Sequence, residues 1–342
     1  MTTTIELPAL ADYHVHLRQG EMMKNVVPSV RRGGCNIAYV MPNLVPPVTT
    51  VSQALSYKQE LEALEPNVRF LMTLYLSPEI TPEVVEDAAK AGISGVKSYP
   101  KGATTNSQNG IESYEPFYPT FAAMERCGLV LNIHGEVPPA SAGGDVTVMT
   151  AEHAFLPTLL DLSKRFPDLR IVLEHCTTAA AIQTVLQAGP NVAGTITAHH
   201  LFLTVDQWVD NPFSYCKPVA KLPSDRAALL EAAVSGNPKF FLGSDSAPHP
   251  RSAKVGGKRV AAGVYTQPYI LPYVATAFDK LNKLDMLENF ACRYGRKFYG
   301  HEEVGVQEKV KLVKRTASVE EEISGVVPFM AGEDLAWQVE WA

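Results

Sequence analysis

The 342-residue chain reads as an α/β protein, a closed (β/α)8 TIM barrel with a short C-terminal appendage. Three observations predict it. Eight short apolar, β-branched runs recur between residues 9 and 245. Capped amphipathic stretches separate them, the alternation of a parallel sheet covered by helices. Residues able to bind metal cluster at the ends of those runs, where a barrel carries its chemistry. The competing architecture, an open doubly wound sheet, usually has fewer strands, and its GxGxxG fingerprint is missing.

The strand candidates are residues 9–16, 36–43, 68–77, 93–99, 129–134, 170–175, 192–200 and 239–245. Helices are expected over 22–32, 51–64, 117–127, 156–165 and 178–188. Thr81 and Pro82 supply an N-cap and an N1 proline for another, with Gly92 as its stop. Ser224 opens a helix that Gly236 ends, and two more, 267–281 and 285–298, follow the eighth strand. Beyond Val304 come a charged stretch and short extended pieces such as 335–341. The expected organisation is a barrel over residues 1–302 and an extension, 303–342, packed on it.

Composition narrows the function. The chain is 46% hydrophobic and 19% charged, ordinary for a soluble globular protein with a large core. A net charge of −6 argues against nucleic acid as a partner. It also means that an anionic substrate needs local positive groups to bind. The five cysteines form no CxxC pair, so neither a disulfide framework nor a thiolate metal site is expected. A reducing compartment, the cytoplasm, fits best. The N-terminal residues lack the pattern of a signal peptide, and no apolar run of about 18 residues predicts a membrane span.

The first strand ends Asp12-Tyr13-His14-Val15-His16. Residues two apart on a strand share a face, so both imidazoles can reach one cation. His134 and His175 each follow an apolar run and together offer a second pair of nitrogens. Asp245, in the segment Gly-Ser-Asp-Ser-Ala-Pro-His, can bind the first metal and also move protons. Lys97 falls where a strand should show its inner face. A lone buried ammonium is costly there. A lysine carbamate would reverse its sign and could bridge two metals.

HxH on strand one, Lys on four, His on five, His on six and Asp on eight resemble the binuclear pattern of the amidohydrolase superfamily. The segments around Asp12–Arg18, Met41–Asn43, Gly95–Pro100 with Ala103–Ser107, Leu173–Thr177 and Gly243–His249 are similar to dihydroorotases of the short bacterial and fungal type. The resemblance runs from about residue 9 to about 300. It implies two zinc ions per chain, bridged by N6-carboxylated Lys97. One would be held by His14, His16 and Asp245, the other by His134 and His175. It implies that Arg18, Asn43 and His249 hold a substrate carboxylate, with a further backbone contact at Ala262. It places Thr104 and Thr105 on a loop that closes over the substrate. Lys217 departs from the bacterial pattern, which has an apolar residue there.

The activity implied is the reversible cyclisation of N-carbamoyl-L-aspartate to L-dihydroorotate and water in pyrimidine synthesis. Asp245 would be the catalytic proton carrier, and the family is commonly dimeric. Two alternatives share these features: another cyclic amidase, such as a hydantoinase or allantoinase, and a non-catalytic relative kept as a scaffold. Arg18, Asn43 and His249 favour a ring bearing a carboxylate. Scaffold relatives usually lose metal ligands, and all are present here.

Overall fold

The computed structural model describes residues 3–139 and 143–342. Eight strands pair in parallel and in chain order: Leu10–Val15, Cys35–Val40, Arg69–Tyr75, Gly95–Ser98, Val130–Ile133, Ile171–Leu173, Val192–Ile196 and Phe240–Leu242. All eight predicted strands exist. The ring closes at one rim: Asp245 N donates to His14 O at 2.8 Å, and His16 N donates to Ser246 O at 3.0 Å. That seam joins the first and eighth strands at the residues expected to bind metal.

The strands are buried on both faces. Outside them, one large apolar core fills the space beneath the helices. Inside, Ala11, Tyr13, Ile37, Tyr39, Val130, Val172 and Phe241 form a second cluster. Tyr299, from the last helix, stacks on Tyr13 at 4.5 Å and plugs one end of the barrel. The lumen is therefore packed, and the open chemistry is confined to the opposite rim. Gly95 is required by this packing: a Cβ there would lie 2.2 Å from the Tyr39 hydroxyl.

Helix Val51–Leu64 has the predicted bounds and a capping box, with Thr50 accepting from Gln53 N. The helix expected over 22–32 is broken into Gly20–Val26 and Pro28–Arg32. Pro28 has no N–H to continue the first segment and starts the second instead. The helix expected over 285–298 is interrupted by a π-helical segment, Asn289–Arg293, before Tyr294–Tyr299. The helix expected from 156 begins earlier, at Ala151.

Several predicted strands overrun the real ones. The backbone leaves the sheet before His134, His175 and Asp245, and His175 and Asp245 take left-handed φ values of 42° and 46°. The seventh stops at Ile196, and His199–Leu201 forms a 3-10 turn. Two strands have no counterpart in the sequence reading. Thr4–Pro8 pairs antiparallel with Lys309–Ser318, which pairs with Asp334–Trp341. The chain's two ends thus share a three-stranded sheet beside the barrel. Trp337, buried in that sheet, donates its indole N–H to Asp279 on helix Ile270–Lys280.

Candidate active site

His14 is part of the first barrel strand and His16 lies one residue beyond it. Asp245 stands three residues past Phe240–Leu242, where its left-handed turn aims the carboxylate back across the seam. Its Oδ1 lies 3.1 Å from His16 Nε2 and 3.4 Å from His14 Nε2. The ligand atoms of His14, His16 and Asp245 all fall within 4.8 Å of one another. His134 and His175 complete the rim, with ring centroids 4.8 Å apart and His175 5.1 Å from His14. Lys97, on strand Gly95–Ser98, is wholly buried, and its Nζ has no hydrogen-bond partner. Arg18, His175 and Asp245 all hold positive φ. Such strain, of order 1–3 kcal/mol each, tends to gather where the surroundings are built around a function.

Three of the four histidines have one ring nitrogen tied from behind. His14 Nδ1 lies 2.8 Å from Glu174 Oε2, His134 Nε2 2.8 Å from Glu136 Oε2, and His16 Nδ1 2.8 Å from Asn43 Oδ1. For His16 and His134 the hydrogen bond sets the tautomer and turns the other nitrogen inward, while His14 is held by the charge of Glu174. Glu174 in turn accepts from Asn132 Nδ2 at 2.7 Å and Thr195 Oγ1 at 2.6 Å. Asn132 also accepts from Tyr39. A continuous polar chain thus links the barrel floor to His14.

Glu136 and Glu174 had no assigned role in the sequence. Glu136 follows His134 by two and Glu174 precedes His175, but a carboxylate beside a histidine is common. Only the fold shows which histidine each one serves.

Charge explains the pocket's state. Burial disfavours a charged Asp245, but His14 overcomes it and holds the carboxyl well below its usual range. Burial drives His16 down to about 4 despite Asp245, so its ring is neutral. With its one N–H donated to Asn43, His16 Nε2 turns a lone pair toward an anionic oxygen 3.1 Å away. A cation between them resolves that opposition. Burial also lowers His175, well below the usual histidine value. Its Nδ1 lacks a partner. Burial works against a charged His14, but Glu174 outweighs it and raises its pKa, so His14 would shed a proton on taking a metal. Four imidazoles, one carboxylate and an orphaned buried amine are a donor set suited to divalent metal.

The substrate-side residues form a corner against this cluster. Arg18 Nε donates to Pro248 O at 2.9 Å, and its Nη2 lies 3.2 Å from His249 Nε2. That same His249 nitrogen donates to Ala262 O at 2.9 Å. The Arg18 contact therefore sets one donor against another. An anionic acceptor placed between them relieves it. Burial and the Arg18 charge push His249 down to about 3.

The loop carrying Thr104 and Thr105 lies across the opening. Thr105 Oγ1 donates to Ala262 O at 3.3 Å, Asn43 Nδ2 to Thr105 O at 3.1 Å, and Asn106 Nδ2 to Asn43 O at 2.9 Å. Beneath it the cavity is only about 20 Å³. That is about the room of one water. Outside lies a vestibule of about 1050 Å³, which shares Thr104, Thr105, Lys217 and Ala262 with the inner cavity.

The structure also brings His199 and His200 beside Cys216, a second buried trio that shares no residue with the predicted ligands. The Cys216 thiol donates to Pro218 O, and burial raises its pKa far above the thiol range. It behaves as a protonated core group.

A parallel eight-stranded barrel with a histidine–carboxylate cluster on its C-terminal rim defines the class: an amidohydrolase-type barrel enzyme. The sequence profile of the family described as Amidohydrolase matches residues 39–239. A probable dihydroorotase of Schizosaccharomyces pombe is 59% identical over 339 residues, covering 99% of both chains. The crystal structure of Saccharomyces cerevisiae dihydroorotase in complex with 5-fluoroorotic acid superposes with a TM-score of 0.95 at 45% identity. That match covers 99% of this chain and 98% of the other. An L-hydantoinase of Arthrobacter aurescens, at 20% identity and a TM-score of 0.86 over 99% of this chain and 84% of its own, shares the fold alone. This chain belongs to the dihydroorotase family of the amidohydrolases.

Proposed function

We propose that the chain catalyses the reversible closure of N-carbamoyl-L-aspartate to L-dihydroorotate and water, a step of pyrimidine synthesis. The observation that carries this reading beyond a generic cyclic amidase is the Arg18–His249–Ala262 corner. Two donors converge there without an acceptor between them, beside the histidine cluster. A ring bearing a carboxylate satisfies it; an uncharged hydantoin does not.

The residues that would hold two zinc ions are His14, His16 and Asp245 for one, His134 and His175 for the other, with carboxylated Lys97 between. When bound, such ions supply an activated water and a Lewis acid for the amide carbonyl. The chain's own groups do the rest. Arg18 and His249 grip the substrate carboxylate from one side and Asn43 from another, which fixes the scissile amide over Asp245. In ring opening, Asp245 accepts the proton of the attacking water and delivers it to the departing ring nitrogen. In ring closure it takes the proton from the ureido nitrogen as that atom attacks the carboxyl carbon. Thr104 and Thr105 close the entrance and exclude bulk water.

Lys97 would become an anionic metal ligand once its neutral amine adds to CO2 and releases a proton. Burial draws its pKa down to about 8, which makes the neutral amine accessible. A homodimer in the cytoplasm is the setting that the family resemblance and five free cysteines support. Among the described residues no helix is long and apolar enough to cross a membrane.

The test is turnover. The zinc-loaded protein should open L-dihydroorotate and close N-carbamoyl-L-aspartate, lose both activities to a chelator, and leave hydantoin and allantoin untouched. Hydrolysis of hydantoin in preference to dihydroorotate would replace this reading with the other cyclic amidase. Full metal content without any turnover would support a scaffold.

A further inference from the structure

We propose that Lys254 is a positioning residue for the carboxylate corner, a role that rests on the activity proposed above. Lys254 ends the short helix Arg251–Lys254, five residues after His249, and is only 4% exposed. Its Nζ donates to three backbone carbonyls: Gly263 at 2.7 Å, Ala261 at 2.8 Å and Tyr215 at 3.0 Å. An ammonium has three N–H bonds and no acceptor, so this set uses its full capacity. All three partners are peptide dipoles. The charge is thus solvated by backbone and left uncancelled. Burial lowers its pKa to about 8, so the cation persists at neutral pH.

What the ammonium ties together decides its role. Ala261 and Gly263 flank Ala262, whose carbonyl receives both His249 and Thr105. Tyr215 leads through Cys216 to Lys217, which borders the inner cavity. Gly263 N donates to Tyr215 O at 3.0 Å, so the two segments touch, and Lys254 staples them. Clearance is small: a Cβ at Gly263 would lie 2.3 Å from Ala247 O and 2.9 Å from His249 Cδ2. Residues 255–260 leave this staple as an exposed excursion and return to it at Ala261.

Two effects reach the substrate. The staple holds the Ala262 carbonyl where it orients His249 toward the bound carboxylate, away from the reacting atoms. The buried positive charge behind that wall also attracts an anion in the corner more strongly than a solvated one could. The substrate carboxylate held there does not react. Both effects therefore act alike on ground and transition states, and their loss falls on KM.

The experiment uses Lys254→Met in the zinc-loaded enzyme with L-dihydroorotate. KM should rise about tenfold or more while kcat stays within about threefold, with metal content as in the parent. Lys254→Gln, which keeps two donors without the charge, should show the same split and serves if the methionine variant does not fold. Alkylating Lys254→Cys with 2-bromoethylamine rebuilds a side chain of lysine length and charge and should recover KM. Iodoacetamide, which leaves a neutral group, should not. The parent treated alike controls for Cys127. Lys258→Met, on the exposed excursion, should leave KM unchanged.

An unchanged KM in either neutral variant, with a parent that turns over dihydroorotate, overturns this role alone. A joint loss of kcat and metal without chemical recovery overturns it in favour of general structure. A parent inactive on dihydroorotate refutes the activity itself, and this role with it.

Discussion

Replacing Lys97 by methionine tests the carbamate proposed for this residue. Lys97 is 0% exposed and without a hydrogen-bond partner, its Nζ 5.1 Å from the Tyr99 ring, with Glu174 and Asp245 as the nearby anions acting on its charge. Burial takes its pKa from 10.5 to about 8. At 1.36 kcal/mol per unit, that is a cost of about 3 kcal/mol for keeping the charge. The sign follows from the folded value lying below the unfolded one. The cost is complete below about pH 8, where both states are protonated. It fades as pH rises toward 10.5, where both are neutral. Lys97→Met has nearly the same volume, so it should stabilise the metal-free protein at pH 7 by up to about 3 kcal/mol. For a chain of this size that is about 4 °C in Tm. The gain should vanish by about pH 10.5.

In zinc-loaded protein the same substitution should act in the opposite direction. Without a carbamate, two dications face four neutral imidazoles and only Asp245, so metal and turnover should be lost together. Elemental analysis, thermal scans of both forms and a 13C-carbamate signal from labelled bicarbonate check each part. Electron density that ends in a bare amine, in a fully metallated and active enzyme, would refute the reasoning.

Asp245→Asn should retain part of its metal but lower turnover by about 10²–10⁴-fold, the usual worth of a proton carrier; activity within a few-fold of the parent would mean another group moves the proton. Thr104→Ala combined with Thr105→Ala removes the lid bond to Ala262 O, so zinc content should stay constant while turnover falls. Normal kinetics in that double variant would make the loop an ordinary surface turn. Glu174→Gln removes the anion 2.8 Å behind His14 and should weaken metal affinity by about 10–100-fold, measured by competition with a chelator. Unaltered affinity would show that His14 needs no such support.

Local sequence determined the strands and most helices because their signals are local. An apolar run buried on both faces, a Thr-Pro helix start and a Gly stop act over a few residues. Helix Val51–Leu64 and the eight strands in order are legible for that reason. The spacing of His14 and His16 is equally local, since alternate strand residues share a face.

Contacts between distant segments were decided only by tertiary structure. Nothing near residue 4 announces a partner at 313, and an edge strand's pattern does not name what it pairs with. Asp245 meets His16 across a separation of 229 residues, and Arg18 meets His249 across 231, because the barrel closes on itself. The carboxylates behind His14 and His134, and the ammonium of Lys254 on three carbonyls, likewise depend on where loops turn. A buried charge is tolerable only where its partners converge, and that convergence belongs to the folded chain.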